Sequence, residues 1–142
     1  MAEAHTIHVD IVSAEGELFS GDASMVFAPA SQGDLGIAPR HAPLLTLLKP
    51  GEVTVQTPDG ERQHFFVGGG ALEVQPHKVT VLADTAIRAK DLDEAAALEA
   101  KQRVEEALKD KSGHINQAEA LAELARLTEQ LKLIQRLRNR RS

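Results

Sequence analysis

The chain has 142 residues, 42% of them hydrophobic, so it can form one ordinary domain or one small domain with an appendage. It contains no Cys, Trp or Tyr, which excludes a disulfide framework, a zinc-thiolate site and a cysteine nucleophile. A net charge of -5 and a shortage of aromatic rings argue against nucleic acid as a partner.

The amino terminus lacks a basic region followed by an apolar stretch, so no signal peptide is predicted. No window approaches the roughly 18 to 20 apolar residues that span a bilayer. We therefore expect no direct membrane insertion, and at a membrane another protein would have to hold this chain in place.

Before residue 90, short apolar runs alternate with turn signals, and this part contains every Pro and nearly every Gly. The runs are Ile7–Ile11, Met25–Ala28, Leu44–Leu48, Val53–Gln56, Phe65–Val67, Leu72–Val74 and Val79–Leu82. They predict a β-sandwich of about ten strands in residues 1–88. Lys49–Gly51 is read as a turn, Gly68–Gly70 as a turn or bulge, and Pro58–Gly60 as the clearest hairpin turn.

Residues 89–142 change to helical periodicity and predict an antiparallel two-helix hairpin. Asp91 or its neighbour is expected to cap the first helix, and the second is predicted from about Gln117 to Arg140 after a turn over Lys109–Asn116. The first helix has a narrow stripe formed by Ala97, Ala100, Val104, Ala107 and Leu108. The second has a broader one formed by Leu121, Leu124, Leu127, Leu131, Leu133, Ile134 and Leu137. Because the first stripe cannot cover the second, we expect a further partner, either the β domain or another protein.

The charge is unevenly distributed, since residues 1–111 are acidic and residues 112–142 carry 6 Lys or Arg against 3 Glu. The basic residues are Arg126, Lys132, Arg136, Arg138, Arg140 and Arg141. Two interpretations remain open. This end is either a solvated helix face with cations at the negative end of the helix dipole, or an arm that docks on an acidic protein surface.

The sequence shows no strong pattern for a metal site or a catalytic site. The six His residues do not gather in a metal-binding pattern, so no metal site is predicted. No strand-turn-helix elbow presents a Ser nucleophile, and Gly68–Gly70 precedes a strand where a phosphate-binding loop would precede a helix. Glu15 and Glu17, taken to share a strand face, are too common a pattern to indicate a carboxylate pair for catalysis. No catalytic residue is predicted.

The most unusual segment is Gly33–Leu45, in which two Gly and two Pro surround apolar residues. It is predicted to be a structured loop with Leu35 and Ile37 at an exposed tip, flanked by Asp34 and His41. Such a loop either wraps one end of the sandwich or serves as a contact surface.

Several ordered stretches carry a resemblance over nearly the whole chain. They are Val12–Glu15, Gly33–Leu45, Lys49–Gly51, Gly68–Val74, Val79–Ala86 and Asp91–Ala95. Together they resemble the epsilon subunit of bacterial rotary ATP synthases, which is called delta in mitochondria. The resemblance implies a β-sandwich followed by a helical hairpin, a place in the central stalk, and peripheral attachment at the cytoplasmic face of the bacterial inner membrane.

The resemblance also implies partners. The chain would bind the gamma subunit and the ring of c subunits as a non-catalytic part of the rotor that couples proton-driven rotation to ATP synthesis. The contact residues implied are Gly33, Asp34, Leu35, Gly36, Ile37 and His41. The hairpin would extend into the catalytic head of beta and alpha subunits and restrain ATP hydrolysis, with Arg126, Lys132 and Arg136 facing an acidic region.

Some family members bind ATP through a motif in which Leu or Ile and Asp are followed after two residues by Arg-Ala. Here Asp93 matches the acid of the motif, but Ala96 occupies the position of the Arg. The cation expected to face a phosphate is therefore missing, and no cofactor is predicted. Two other functional classes stay open on the residues alone. They are a free-standing β-sandwich adaptor whose hairpin recruits another protein, and a small enzyme built on the sandwich.

Overall fold

The computed structural model describes residues 5–109 and 116–141, with side chains up to residue 139. The chain divides into two compact units, Met1–Lys90 and Asp91–Ser142. The predicted turn over Lys109–Asn116 falls largely on residues 110–115, which lie outside the described residues.

The first unit is a sheet folded into a sandwich, and eight strands are assigned in the described part of it. They are β1 (Ile7–Ser13), β2 (Gly16–Ala23), β3 (Met25–Ala30), β4 (Gly33–Ile37), β5 (Leu44–Gln56), β6 (Arg62–Gln75), β7 (Lys78–Ala83) and β8 (Ala86–Arg88). The strand order is β2-β1-β7-β6-β5-β3-β4, and β8 pairs with β6. Neighbours are antiparallel except β1 and β7, which run parallel.

Two long strands explain why fewer strands are present than the ten predicted. The apolar runs on either side of Lys49–Gly51 belong to one strand, β5, and the runs on either side of Gly68–Gly70 belong to β6. Leu48 pairs with Gly70 and Pro50 with Gly68, so Lys49 and Gly69 are left out of the pairing while the register stays the same on both sides of them. The turn predicted at Lys49–Gly51 and the turn or bulge predicted at Gly68–Gly70 are therefore wrong, because both segments lie inside continuous strands with no inserted residue.

Gly70 shows why this part of β6 requires glycine. Its φ is +133°, and a Cβ built on it would lie 2.1 Å from the carbonyl oxygen of Leu82. No side chain fits there without moving the β7 backbone. Because β5 and β6 continue past this point, each contributes to both halves of the sandwich.

The core is filled by alternate side chains from both halves. β1, β7 and the second half of β6 contribute buried residues such as Ile11, Val81 and Leu72. β3, β4 and the first half of β6 contribute Val26, Ile37 and Phe65 among others. This alternation is the burial pattern typical of strands with one face against a core.

Contacts across the two halves close the sandwich at one side. The ring centroids of Phe19 on β2 and Phe65 on β6 are 5.7 Å apart in an edge-to-face arrangement. The guanidinium carbon of Arg88 on β8 lies 5.6 Å from the Phe65 centroid, and Arg88 Nη2 donates a hydrogen bond to the carbonyl oxygen of Leu18. The hairpin turn predicted at Pro58–Gly60 is confirmed between β5 and β6, with Gly60 at a φ of +91°.

The second unit contains a short 3-10 turn, Ala89–Asp91, which overlaps its boundary, followed by α1 (Glu94–Lys109) and α2 (Gln117–Arg141). The cap predicted at Asp91 is wrong, because Asp93 Oδ1 accepts a hydrogen bond from the backbone N–H of Ala96 at 3.2 Å. Asn116 caps α2 in the same way, because its Oδ1 accepts a hydrogen bond from the backbone N–H of Glu119 at 3.2 Å. None of the described helices combines the length and apolar character needed to cross a bilayer.

The two helices are antiparallel, as predicted. Residues Val104 and Ala107 near the end of α1 share a groove of about 390 Å³ with Ala120 and Glu123 near the start of α2. Of the predicted apolar stripes, Ala97, Leu127 and Leu133 are buried, whereas Leu121 is 56% exposed. Leu121 was expected in the packed band, but the residues of α2 and its cap that line the groove with α1 are Asn116, Glu119, Ala120 and Glu123, and Leu121 is not among them.

Candidate interaction surface

The outer face of one half of the sandwich carries three exposed leucines. Leu45 and Leu47 on β5 are 74% and 66% exposed, and Leu82 on β7 is 53% exposed. Leu47 pairs with Ala71, and Ala71 pairs with Leu82, so these three residues form one cross-strand row. We call Leu45, Leu47, Ala71 and Leu82 the leucine surface.

Strand geometry fixes this arrangement. Directly paired residues point to the same side of a sheet, so Leu47 and Leu82 face solvent while their neighbours on β5 and β7, Leu48 and Val81, face the core. Clustered large apolar side chains on a rigid exposed sheet are typical of a protein-binding surface, whereas single exposed leucines are ordinary.

This surface was not predicted from the sequence, although the sequence of β5 contains a signal for it. Leu44–Leu48 is apolar at both odd and even positions apart from Thr46. A strand with one face in the core needs apolar residues at alternate positions only, so the surplus leucines predict a second, uncovered apolar face. Leu82 gives the same signal within β7, because it is apolar and directly follows the buried Val81.

A polar network lies on the same outer face, next to the leucine surface. His8 Nε2 is 3.0 Å from Asp10 Oδ1, and His8 Nδ1 is 3.3 Å from Asp22 Oδ1. Ser20 Oγ donates to Asp10 Oδ1 at 2.7 Å, and Lys78 Nζ lies 3.2 Å from Asp10 Oδ2. The hydrogen bond from Ser20, helped by Lys78 and His8, holds the pKa of Asp10 below its usual value.

The segment predicted as a structured loop over Gly33–Leu45 is only partly a loop, and its last two residues already belong to β5. Gly33–Ile37 forms strand β4, which pairs with β3 and lies at the end of the sheet order. Ile37 is fully buried, so its placement at an exposed tip was wrong, and Leu35 is half-buried against the core. The reason is the alternation of β4, which turns both side chains inward and leaves Asp34 and Gly36 exposed.

The turn that follows β4 contains a strained residue. Arg40 has a φ of +66°, in the left-handed region, and its backbone N–H donates to the carbonyl oxygen of Pro76 at 2.8 Å. His41 is half-buried, and its Nδ1 donates to the carbonyl oxygen of Ala42 at 2.7 Å. This hydrogen bond fixes the ring of His41 beside the start of β5.

The three basic residues predicted to contact another protein all lie on α2. Arg126 Nη2 is 3.6 Å from Glu123 Oε1, and Lys132 Nζ is 3.4 Å from Glu129 Oε1. Arg136 is exposed and also has a partner. At about 100° per residue, Lys132 and Arg136 lie about 40° apart on the helix, whereas Arg126 lies about 120° from Lys132. The three residues therefore span a broad arc of α2.

Asp93 and Ala96, the residues compared with the ATP motif, are joined by the helix cap described above. The carboxylate of Asp93 serves the first turn of α1, and Ala96 offers only a methyl group. Glu15 lies in the turn before β2, not on a strand face with Glu17, so the expectation of a shared face is wrong. Within residues 5–109 and 116–139, no group of three or more acidic or His side chains could hold a metal ion.

Comparison with known sequences decides the family. The family described as "ATP synthase, Delta/Epsilon chain, beta-sandwich domain" matches residues 6–89, and the one described as "ATP synthase, Delta/Epsilon chain, long alpha-helix domain" matches residues 90–135. The chain belongs to the delta/epsilon family of ATP synthase subunits.

Relatives within this family are similar over nearly their whole length. The ATP synthase epsilon chain of Nitrosococcus oceani is 64% identical over 137 residues, which cover 96% of this chain and 98% of the relative. That of Alkalilimnicola ehrlichii is 61% identical over 135 residues, 95% of this chain and 96% of the relative.

Solved structures show the same fold at much lower identity. A chain of the Euglena gracilis mitochondrial ATP synthase OSCP/F1/c-ring structure has a TM-score of 0.76 at 15% identity, covering 88% of this chain and 79% of its own. A chain of the Tetrahymena thermophila mitochondrial ATP synthase central stalk/c-ring structure has a TM-score of 0.61 at 14% identity, covering 94% and 99%.

These comparisons confirm the resemblance and the predicted fold class, a β-sandwich followed by two helices. They also confirm the predicted function at the level of an epsilon-type subunit of ATP synthase, and they do not favour the free-standing adaptor. The individual contact residues stay predictions.

Proposed function

We propose that this chain is a non-catalytic rotor subunit of the ATP synthase central stalk. With the gamma subunit it couples proton-driven rotation of the c-ring to ATP synthesis in the head, at the cytoplasmic face of the bacterial inner membrane. Membership of the delta/epsilon family supports this role. The observation that carries it is the leucine surface, an apolar binding face on a rigid sheet.

The leucine surface is the proposed site for gamma. A stalk subunit transmits torque, so its contact must resist sliding, and side chains fixed on paired strands provide such a contact better than a loop does. Burying Leu45, Leu47 and Leu82 would remove exposed apolar area from water, and the neighbouring network around Asp10 would form a polar rim.

The c-ring contact is proposed at the β4 end of the sandwich. The contact residues predicted from the sequence were Gly33, Asp34, Leu35, Gly36, Ile37 and His41. Of these, Asp34 and Gly36 offer exposed positions on an edge strand, whereas the side chain of Ile37 is buried and acts from within the core. Asp34 is therefore the side chain most suited to a ring-facing contact.

The hairpin is proposed to restrain ATP hydrolysis by contacting the catalytic beta subunit and its alpha neighbours. Arg126, Lys132 and Arg136 supply the cationic arc for an acidic partner surface. Regulatory ATP binding is not part of the proposal, because Ala96 stands where the motif has Arg and Asp93 already caps α1.

The test is co-purification of the full chain, as tagged bait, with the gamma subunit of the same organism. The rotor assignment predicts a stable one-to-one complex with gamma. Recovery of a different protein, with gamma absent although it is expressed and soluble, would support the adaptor instead. Thermal unfolding of the bait confirms that it is folded in either case.

A further inference from the structure

An ion pair joins the two ends of the helical hairpin that lie farthest from its turn. Arg138 Nη2 in the last turn of α2 donates to Glu94 Oε2 at the first residue of α1, 44 residues away in sequence. The Arg138 side chain is 62% exposed and that of Glu94 is 31% exposed. The pair therefore lies at the surface of the unit and bridges its open end.

The lengths of the helices explain why these two residues meet. α1 has 16 residues and α2 has 25, so α2 is longer by about 13 Å at 1.5 Å per residue. Side chains on a helix lean towards its amino terminus, so the guanidinium of Arg138 reaches back along α2 to the level of Glu94.

Each residue of the pair lies at the helix end that favours its charge. Glu94 lies at the positive amino-terminal end of α1, and Arg138 lies at the negative carboxyl-terminal end of α2. In an antiparallel hairpin these ends are adjacent, so each side chain is stabilised by its own helix and by the opposite charge of its partner. Separation of the helices removes the contribution of the partner and leaves that of the residue's own helix.

Three ion pairs within single helices have no such dependence. Lys101–Glu105, Arg126–Glu123 and Lys132–Glu129 each join residues of one helix, so they persist whether the helices are together or apart. The apolar contribution of α1 near the open end is modest, because its buried residue Ala97 is small and the neighbouring Leu98 is 46% exposed.

We propose that Glu94 and Arg138 form a clasp that closes the hairpin, and that loss of the clasp shifts the chain towards a form with separated helices. The inference rests on the proposed function only for its consequence, the control of hydrolysis by the hairpin. The clasp itself is a property of the isolated chain, so it can be tested without the rest of the ATP synthase.

The test measures the distance between α1 and α2 in the full chain. Because the chain has no Cys, Ala96→Cys and Gln135→Cys, both at exposed positions, accept a pair of spin labels without background. Pulsed electron–electron double resonance then gives the distribution of distances between the two labels for the parent, for Glu94→Arg, for Arg138→Glu and for the double exchange. Lys101→Glu, which changes the charge equally within α1, is the matched control.

The clasp predicts that either single reversal raises the ratio of separated to closed hairpins about two- to fivefold. The double exchange should recover much of the parent distribution, and Lys101→Glu should leave it unchanged. Identical distributions in the parent and both single variants would overturn the proposal. So would single variants whose separation the double exchange fails to reverse, since helix-dipole effects alone would then explain it. Failure of the chain to bind gamma would not affect any of these outcomes.

Discussion

Leu47 on β5 and Leu82 on β7 flank Ala71 of β6 in one solvent-facing row, although their immediate neighbours Leu48 and Val81 are buried. The sheet therefore separates two apolar faces, one that forms the core and one that is left for a partner. This relationship is the structural basis of the proposed contact with gamma.

Replacing both Leu47 and Leu82 with Asp should weaken binding to gamma about 100-fold or more. Each Leu would lose about 1.5 to 3 kcal/mol of burial, and each tenfold change in affinity corresponds to about 1.4 kcal/mol. Calorimetric titration of gamma measures the effect. Leu98→Asp, a similarly exposed leucine on α1, is the control and should bind as the parent does.

Ile37 and Asp34 should differ sharply in their effect on stability although both lie on β4. Ile37→Ala should lower the free energy of unfolding by about 2 to 5 kcal/mol, because Ile37 is fully buried in the core. Asp34→Ala should change it by less than about 0.5 kcal/mol, because Asp34 is exposed. Urea unfolding compares them, and equal losses would contradict the burial pattern of β4.

Ser20→Ala should destabilise the chain in a pH-dependent way. Folding lowers the pKa of Asp10 from its usual 3.8, so ionised Asp10 stabilises the folded state above that value. This stabilisation is lost as the pH falls through the lower pKa of the folded chain. The variant should therefore lose about 0.5 to 1.5 kcal/mol at pH 7 and progressively less below about pH 4.

Unfolding by urea at several pH values measures this loss. Ser24→Ala is the control, because Ser24 Oγ donates to the backbone carbonyl of Gln56 and no titrating group takes part. Its cost should be the same at pH 7 and pH 4. A cost of Ser20→Ala that is likewise independent of pH would show that the hydroxyl does not act on Asp10.

Replacing Arg126, Lys132 and Arg136 with Ala should raise ATP hydrolysis by the reconstituted complex about two- to tenfold. The effect should be larger at low salt, where charges are screened least. Initial hydrolysis rates at two ionic strengths provide the measurement. Arg103→Ala, which removes an exposed cation from α1, should leave the rate unchanged. A triple variant with the parent rate would argue against an inhibitory contact through these residues.

Local signals predicted much of the fold. Helical periodicity predicted both helices, and the proline and glycine at Pro58–Gly60 predicted a hairpin that the structure contains. The same residue types misled at Pro50 and Gly69, where the strands continue without ending. The residue types alone cannot distinguish the end of a strand from an interruption in its pairing, because the difference depends on the strand that pairs with it.

Less of the candidate site than of the fold could be predicted from the sequence. The Gly33–Leu45 segment was conspicuous for its Gly and Pro content, yet burial of Ile37 depends on pairing between β4 and β3, which periodicity did not indicate over five residues. The leucine surface joins β5 and β7 through β6, so no single segment reveals it. Likewise the pairing of Glu94 with Arg138 depends on helix register across the hairpin.

The most direct test of the rotor assignment is a crosslink from Leu47→Cys in the assembled ATP synthase. The chain has no other Cys, so a photoactivatable maleimide reports on this position alone. The account predicts that irradiation joins this chain to gamma. An assembled and active complex in which the Leu47 position forms no product with gamma would contradict it.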